Sequence, residues 1–301
     1  MKIIKIMKNI LLIAALAITT ISCEEFKKGY EDGKQKAEDQ KETAAAEELP
    51  EVTLYKLDGG TVMANNLNLF AQGDTYKGES KELADAFFVI KHPKGTLLWD
   101  TGLPEMLVGQ EPYTPEGGAF TISRKDSITT QLKGIGMTPE DIDMIAFSHI
   151  HFDHTGAANH FANAMWLVQE SEYDFANGED IKGNSFYAPD SFNKLTNVEK
   201  LNGDRDVFGD GTVVIKSMPG HTPGHQVLFL RLKENGPTLL SGDVYHFEQN
   251  RKDAIVPQFN YDIPATDQSI KDFEAFAKAE NAKVIIQHDA GNFAQTPATL
   301  N

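Results

Sequence analysis

The chain has 301 residues, 28 of them Lys or Arg and 44 Asp or Glu, for a formal charge of −16. An apolar share of 41% with 18 Phe can fill a core, which excludes wholesale disorder; so acidic a chain lacks the basic face that nucleic acid needs, which leaves neutral or weakly charged partners. Cys23 is the single cysteine, so no intrachain disulfide forms and no thiolate can serve a metal site in the body.

At the start, Lys2, Lys5 and Lys8 precede an apolar run from Ile10 to Ile21, the layout of an export signal and too short for a comfortable membrane span. The run ends Thr20-Ile21-Ser22-Cys23, which resembles a bacterial lipoprotein signal, although Thr20 stands where that pattern usually has Leu. The resemblance implies a signal over residues 1–22, acylation at Cys23 and a periplasmic or outer-membrane-associated lipoprotein that touches the membrane only through this lipid. The alternative is an ordinary cleaved signal followed by an incidental Cys. Residues 23–51, rich in Glu, Lys, Asp, Gln and Ala, read as a charged tether that cannot bury enough surface to offset its ordering entropy. The folded body is then 52–301.

In chain order, apolar runs between turn residues predict strands at Val52–Leu57, Ala86–Lys91 and Thr96–Trp99, the last two joined through the tight turn His92-Pro93-Lys94-Gly95. Helical stretches follow at Ser127–Gly134 and Pro139–Ile142, then a buried strand Met144–Ser148. Further strands are expected at Met165–Val168, Thr212–Met218, His225–Leu232 and Thr238–Ser241. The clearest helix is Asp267–Glu280, with Ile270, Phe273, Phe276 and Ala277 on one stripe, feeding a last strand Ala282–Gln287. This order predicts an α/β protein of two sheets with helices outside. The long connections Pro104–Arg124, Glu170–Asp210 and Phe247–Pro264 are expected to shape a ligand site at a sheet end.

The chemistry lies where strands end. After Met144–Ser148 comes His149-Ile150-His151-Phe152-Asp153-His154, and in extended backbone His149 and His151 share a face and can aim at one point. Asp153 and His154 fall where the chain turns into a helix expected to begin at Thr155-Gly156-Ala157. With Pro219-Gly220-His221-Thr222-Pro223-Gly224-His225, Ser241-Gly242-Asp243, Gln287-His288-Asp289 and the early Trp99-Asp100-Thr101-Gly102 turn, this pattern resembles the metallo-β-lactamase superfamily. The resemblance implies an αββα sandwich with two mixed sheets, helices on the outer faces and two metal ions at one end. It also implies the ligands: His149, His151 and His221 for one ion, Asp153, His154 and His288 for the other, with Asp243 bridging. Imidazole and carboxylate donors suit Zn²⁺, and Fe, Mn or Co fit the same set.

Leu54-Tyr55-Lys56-Leu57-Asp58-Gly59, the stretch from Phe88 to Pro104, and Gly242-Asp243-Val244-Tyr245-His246-Phe247 resemble the N-acyl homoserine lactonase family, implying a dinuclear-metal hydrolase that opens lactone rings. Alternatives are another ester, a thioester or a β-lactam as substrate, or a surface lipoprotein that binds metal without catalysis. Well-known members carry a substrate-facing Tyr three residues after the bridging Asp, whereas here Tyr245 is two after and His246 three after. Asp153 and either Tyr245 or His246 are therefore the catalytic candidates beyond the metal set. Asp100 or Asp289 is expected to orient the imidazoles. His92, His160, His225 and His246 have no place in the ligand pattern and read as structural or surface residues, His225 as a buttress to the metal loop. Phe87, Phe88, Phe161, Phe175, Phe186 and Phe192 could line an acyl pocket, although scattered aromatics more often form core.

Overall fold

The computed structural model describes residues 49–301, apart from Asp180 and Ser185; the expected signal and all but the last three residues of the tether lie outside the described residues. Three antiparallel strands open the fold: β1 (Thr53–Ala64), β2 (Lys81–His92) and β3 (Gly95–Trp99). β1 extends well past the expected Leu57 because a register shift between Asp58 and Gly60 absorbs the Gly59-Gly60 pair as a bulge and lets pairing resume. β4 (Phe120–Ser123), β5 (Met144–Ala146), β6 (Met165–Gln169), β7 (Val198–Leu201) and the late β13 (Thr299–Leu300) complete this eight-stranded sheet. Its order is β13-β1-β2-β3-β5-β6-β7, with β4 also on β1, and the β3-β5-β6-β7 half is parallel.

The second sheet is built from β8 (Arg205–Asp206), β9 (Val213–Ser217), β10 (Gln226–Leu232), β11 (Gly236–Leu240) and β12 (Lys283–Ile285), in the order β12-β11-β10-β9-β8. Only the β11–β12 pair is parallel, so both sheets are mixed, as expected.

Side-chain alternation on these strands divides the core into layers. Ala86, Phe88, Ile90, Leu97 and Trp99 of the first sheet meet Ile215, Leu228, Leu230, Leu240 and Ile285 of the second. The opposite face of the first sheet, with Phe87, Val89 and Trp166, is covered by α1 (Ile128–Gly134), capped by Ser127, and by neighbouring turns carrying Ala158 and Phe161. The outer face of the second sheet packs against α5 (Ile263–Glu280) through Ile270, Phe273 and Ala277, the expected stripe. This helix starts four residues earlier than its periodicity predicts, because Asp262 accepts a hydrogen bond from the Ala265 amide and Pro264 suits the first turn. The remaining helices are short: α2 (Phe152–Thr155), α3 (Glu170–Ala176), α4 (Glu248–Asp253) and α6 (Ala290–Gln295). The result is the αββα layering that the superfamily resemblance implies. The ends of β5, β9, β11 and β12 open onto one edge of the sandwich, and each delivers part of the site.

Candidate metal centre

β5 stops at Ala146, two residues before the expected end, and Phe147 to His151 run on outside any named strand into α2. His151 is the N-cap of that helix, which begins at Phe152 rather than at Thr155, so Asp153 and His154 lie within its single turn. The β9–β10 connection carries His221, a 3-10 turn after β11 carries Asp243, and the chain leaving β12 carries His288.

All seven donors expected from the sequence converge, in two groups: His149, His151, His221 and Asp243, and Asp153, His154 and His288. In the first group His149 Nε2 lies 2.7 Å from His151 Nδ1, and His221 Nε2 lies 3.1 Å from each. In the second, His154 Nε2 and His288 Nε2 are 3.1 Å apart, and each is 4.0 Å from a carboxylate oxygen of Asp153. Asp243, 3% exposed, stands between them: Oδ2 is 3.2 Å from His221 Nε2, and Oδ1 is 3.1 Å from His288 Nε2 and 3.4 Å from His154 Nε2.

Second partners decide which ring atoms face inward. His221 Nδ1–H donates to Asn260 Oδ1 at 2.9 Å, His288 Nδ1–H to the Ala84 carbonyl at 2.8 Å, and His154 Nδ1 lies 3.2 Å from Asp100 Oδ2. In the neutral rings these partners hold the proton outward on Nδ1, so that the three Nε2 atoms then present lone pairs to the centre. Lone pairs crowded at 2.7–3.1 Å, together with a buried Asp243 Oδ1 that has no hydrogen-bond partner, make a donor set that protons alone leave unsatisfied and that two oxophilic or borderline cations would satisfy.

Asp100 thus takes the role expected of it, and Asp289 does not: its Oδ1 caps α6 at the Asn292 amide and its Oδ2 accepts from the Glu248 amide. Asp100 adopts a left-handed backbone, φ 60°, and is held by the Ser148 amide at 2.7 Å and Gln287 Nε2 at 2.7 Å. Gln287 also accepts from Trp99 Nε1 and the Gly242 amide, tying the ends of β3, β11 and β12 together. His225 is the buttress expected: its Nδ1–H donates to the Met218 carbonyl, and its Nε2 accepts the Asp243 amide at 2.9 Å. Gly242 takes a positive φ of 48°, and a Cβ there would lie 2.6 Å from His225 Nε2, so only glycine fits.

Tyr245 is corrected. Leaving the 3-10 turn in extended backbone, successive side chains point to opposite sides, and Tyr245 goes into the layer beneath α5, where its hydroxyl donates to Glu274 Oε1 at 3.1 Å and its ring meets Phe273 edge-on. His246 goes the other way. Its Nε2 lies 3.0 Å from Asp243 Oδ2, and the ring lines the cleft over the donors. The structural or surface reading of His246 therefore fails, whereas it holds for His92, stacked on Phe208, and for His160, paired with Glu105.

That cleft is walled by Val62, Phe70, Leu83, Phe120, Phe152, Phe186 and Phe259, with His151, Asp153, Asp243, His246 and His288 at its floor. Each of the three long connections supplies one ring: Phe120, Phe186 and Phe259. Of the six phenylalanines weighed from the sequence only Phe186 is in the wall; Phe87, Phe161 and Phe192 belong to the helix-covered core, Phe88 to the inter-sheet core, and Phe175 packs on Tyr187 and Tyr261. Asn260 and the wall rings Phe70, Phe120 and Phe259 carry no sequence signal, because neither a period nor a motif marks them.

The charges reinforce one another. Burial opposes ionisation of Asp243, yet His288, His246, His154 and His149 around it hold its carboxyl well below the usual range. Burial also disfavours protonation of His154 and His288, but Asp100, Asp243 and Asp153 drive His154 well above the ordinary value, and Asp243 and Asp153 bring His288 to about 9. His149 and His151 are pushed well below, by burial first and by the neighbouring imidazoles next. His149 and His151 are therefore neutral and ready to ligate near pH 7, whereas His154 and His288 must give up protons. Cation uptake by metal-free protein at pH 7 is expected to release protons, in a number that falls as pH rises through about 9. Titration calorimetry in buffers of different ionisation enthalpy measures this, and release independent of pH between 7 and 10 would contradict it.

The metallo-beta-lactamase superfamily pattern matches residues 83–288. An N-acyl homoserine lactonase AttM of Rhizobium radiobacter is 32% identical over 263 residues, 83% of this chain and 98% of that protein. The N-acyl homoserine lactonase AiiA of Bacillus thuringiensis subsp. kurstaki is 31% identical over 209 residues, 67% of this chain and 80% of its own. Among solved structures, an N-acyl homoserine lactone hydrolase with N-hexanoyl-L-homoserine bound at its catalytic metal centre superposes with a TM-score of 0.73 at 27% identity, over 83% of this chain and 98% of that one. With its seven donors gathered at the edge of an αββα sandwich, this chain belongs to the metallo-β-lactamase superfamily and, within it, to the N-acyl homoserine lactonase family.

Proposed function

We propose that this protein is an exported dizinc lactonase that hydrolyses the ring of N-acyl homoserine lactones or similar lactones. The observation that carries the reading is a cleft with an apolar, largely aromatic wall whose floor is made by His151, Asp153, Asp243 and His288, four of the seven converging nitrogen and oxygen donors. Such a cleft accepts a neutral molecule with one apolar arm and one reactive carbonyl end. His149, His151, His221 and Asp243 would hold one cation, and Asp153, His154 and His288 the other, with Asp243 shared. When bound, the pair supplies Lewis-acid polarisation of a carbonyl and lowers the pKa of water toward neutrality.

The protein's own groups do the rest. Hydrolysis adds water across the ring ester: the acyl C–O bond breaks, a carboxylate and an alcohol form, and one proton is released. The wall phenylalanines hold the apolar arm and exclude bulk water, while Asn260, the Ala84 carbonyl and Asp100 keep three imidazoles from rotating. His246 is the donor to the oxygen that develops charge. Burial pushes its pKa down, so at neutral pH it is an uncharged imidazole, carrying at Nε2 the proton it now directs to Asp243.

Purified zinc-loaded protein, offered a panel of acyl homoserine lactones, plain lactones, a thioester and a β-lactam with proton release recorded, is expected to turn over the lactones fastest. Thioester cleavage without lactone turnover would overturn the reading. His246→Phe is expected to lower kcat roughly 100-fold with cation content retained. Tyr245→Phe should leave kcat unchanged and cost about 1 kcal/mol of stability, the value of one hydrogen bond. Equal losses in both variants would reject the assignment.

Support for export and anchoring comes from the sequence alone, from the basic start, the apolar run and Cys23. Mass spectrometry of the mature amino terminus is expected to find a diacylglyceryl Cys23, and an unmodified terminus beyond Cys23 would refute the anchor.

A further inference from the structure

We infer that Glu172 is the positioning residue of the first donor group, a buried clamp that sets the His149–His151–His221 triangle by holding its two backbone segments together. Glu172 lies in α3, is 2% exposed, and has both carboxylate oxygens engaged. Its Oε1 accepts the amide of Ile150, the residue between His149 and His151, at 3.0 Å. Its Oε2 accepts the amide of Gly224, in the turn that carries His221, at 2.7 Å. One rigid, planar group therefore spans the two segments whose separation fixes the 3.1 Å distances from His221 to its partners.

The surroundings are built for this contact. A Cβ on Gly224 would lie 2.5 Å from Glu172 Cβ and 2.6 Å from its backbone nitrogen, so the approach of the turn to α3 requires glycine. On either side, Ser171 Oγ donates to the Pro223 carbonyl, and Gln169 Nε2 donates to Oε1 of Gln226, a residue whose backbone N–H donates to the Ser148 carbonyl. The second donor group has no such contact with Glu172. Its imidazoles are held instead by Asp100 and the Ala84 carbonyl. The clamp thus separates the two groups: its loss should spread the first triangle and leave the second in place.

The inference rests on the two-cation reading of the site and not on the substrate, so its test reads cation binding. Metal-free wild type, Glu172→Gln and Gly224→Ala are titrated with Co²⁺ against a chromophoric chelator, the visible absorption bands recorded, and folding followed by circular dichroism. Gln keeps the shape of Glu172 but turns one acceptor into a donor that faces an amide N–H. Gly224→Ala pushes the turn away from the other side. Wild type is expected to take two equivalents, and both variants to hold one of them about 10–100-fold more weakly. The bands that change should be those lost in His221→Ala and retained in His288→Ala. Should Glu172→Gln fail to fold, Gly224→Ala and the shorter Glu172→Asp give the same reading. Folded variants that bind both equivalents as wild type does, or that weaken both in step with a lowered unfolding temperature, would overturn the clamp. A wild-type chain that takes up no Co²⁺ would overturn it together with the metal reading beneath it.

Discussion

Burying a carboxylate costs several kcal/mol unless opposite charge surrounds it, and Asp243 is buried among five imidazoles within 3.7 Å. The depressed Asp243 pKa and the raised His154 and His288 pKa values are two faces of the same attraction. Protons on the second group provide the positive charge that cations would otherwise bring, which makes proton and cation binding compete for one carboxylate. Everything nearby serves to keep that carboxylate in place: the positive φ of Gly242, the His225 ring under the Asp243 amide, and Gln287 on the Gly242 amide. Those supports hang from the ends of β10, β11 and β12, so the inter-sheet core, remote from the chemistry, sets the geometry of the site.

Wall and donors are not separate layers. Asn260, which fixes the His221 ring, follows Phe259 of the cleft wall, and Phe259 meets Phe70, Phe186, His221 and His246. Tyr187, next to Phe186, pairs with His151 through an isolated bridge and packs on its ring at 5.0 Å. A substitution that reshapes the wall therefore shifts a ligand, and selectivity and metal affinity in this fold are coupled through shared segments.

Legibility from sequence followed the range of the interaction responsible. His149, His151, Asp153 and His154 stand within six residues, where local spacing alone points to a metal, whereas His221, Asp243 and His288 were legible through the superfamily resemblance of the short motifs that carry them. Apolar runs likewise marked the long strands and α5. Asn260 acts on His221 across 39 positions from a loop without pattern, and no local signal announces it. Alternation says that Tyr245 and His246 face opposite ways, but which faces the donors depends on the turn at Gly242–Val244, a tertiary detail. The short helices α2, α3, α4 and α6 are at most seven residues long, too few turns for a 3.6-residue period to emerge.

The acidic surface and the neutral cleft fit together. With a chain charge of −16, an anionic ligand meets repulsion before it reaches the mouth, and a cationic one would have to lose its hydration against phenylalanine rings. A neutral acyl compound avoids both costs, and its apolar arm gains from each ring it covers, at about 25 cal/mol per Å² removed from water. Its hydrolysis product is an anion, formed at the donors on the cleft floor. Charge thus appears in the product alone, so the neutral reactant approaches the acidic chain without repulsion, whereas the anion, once clear of the donors, is driven away from it.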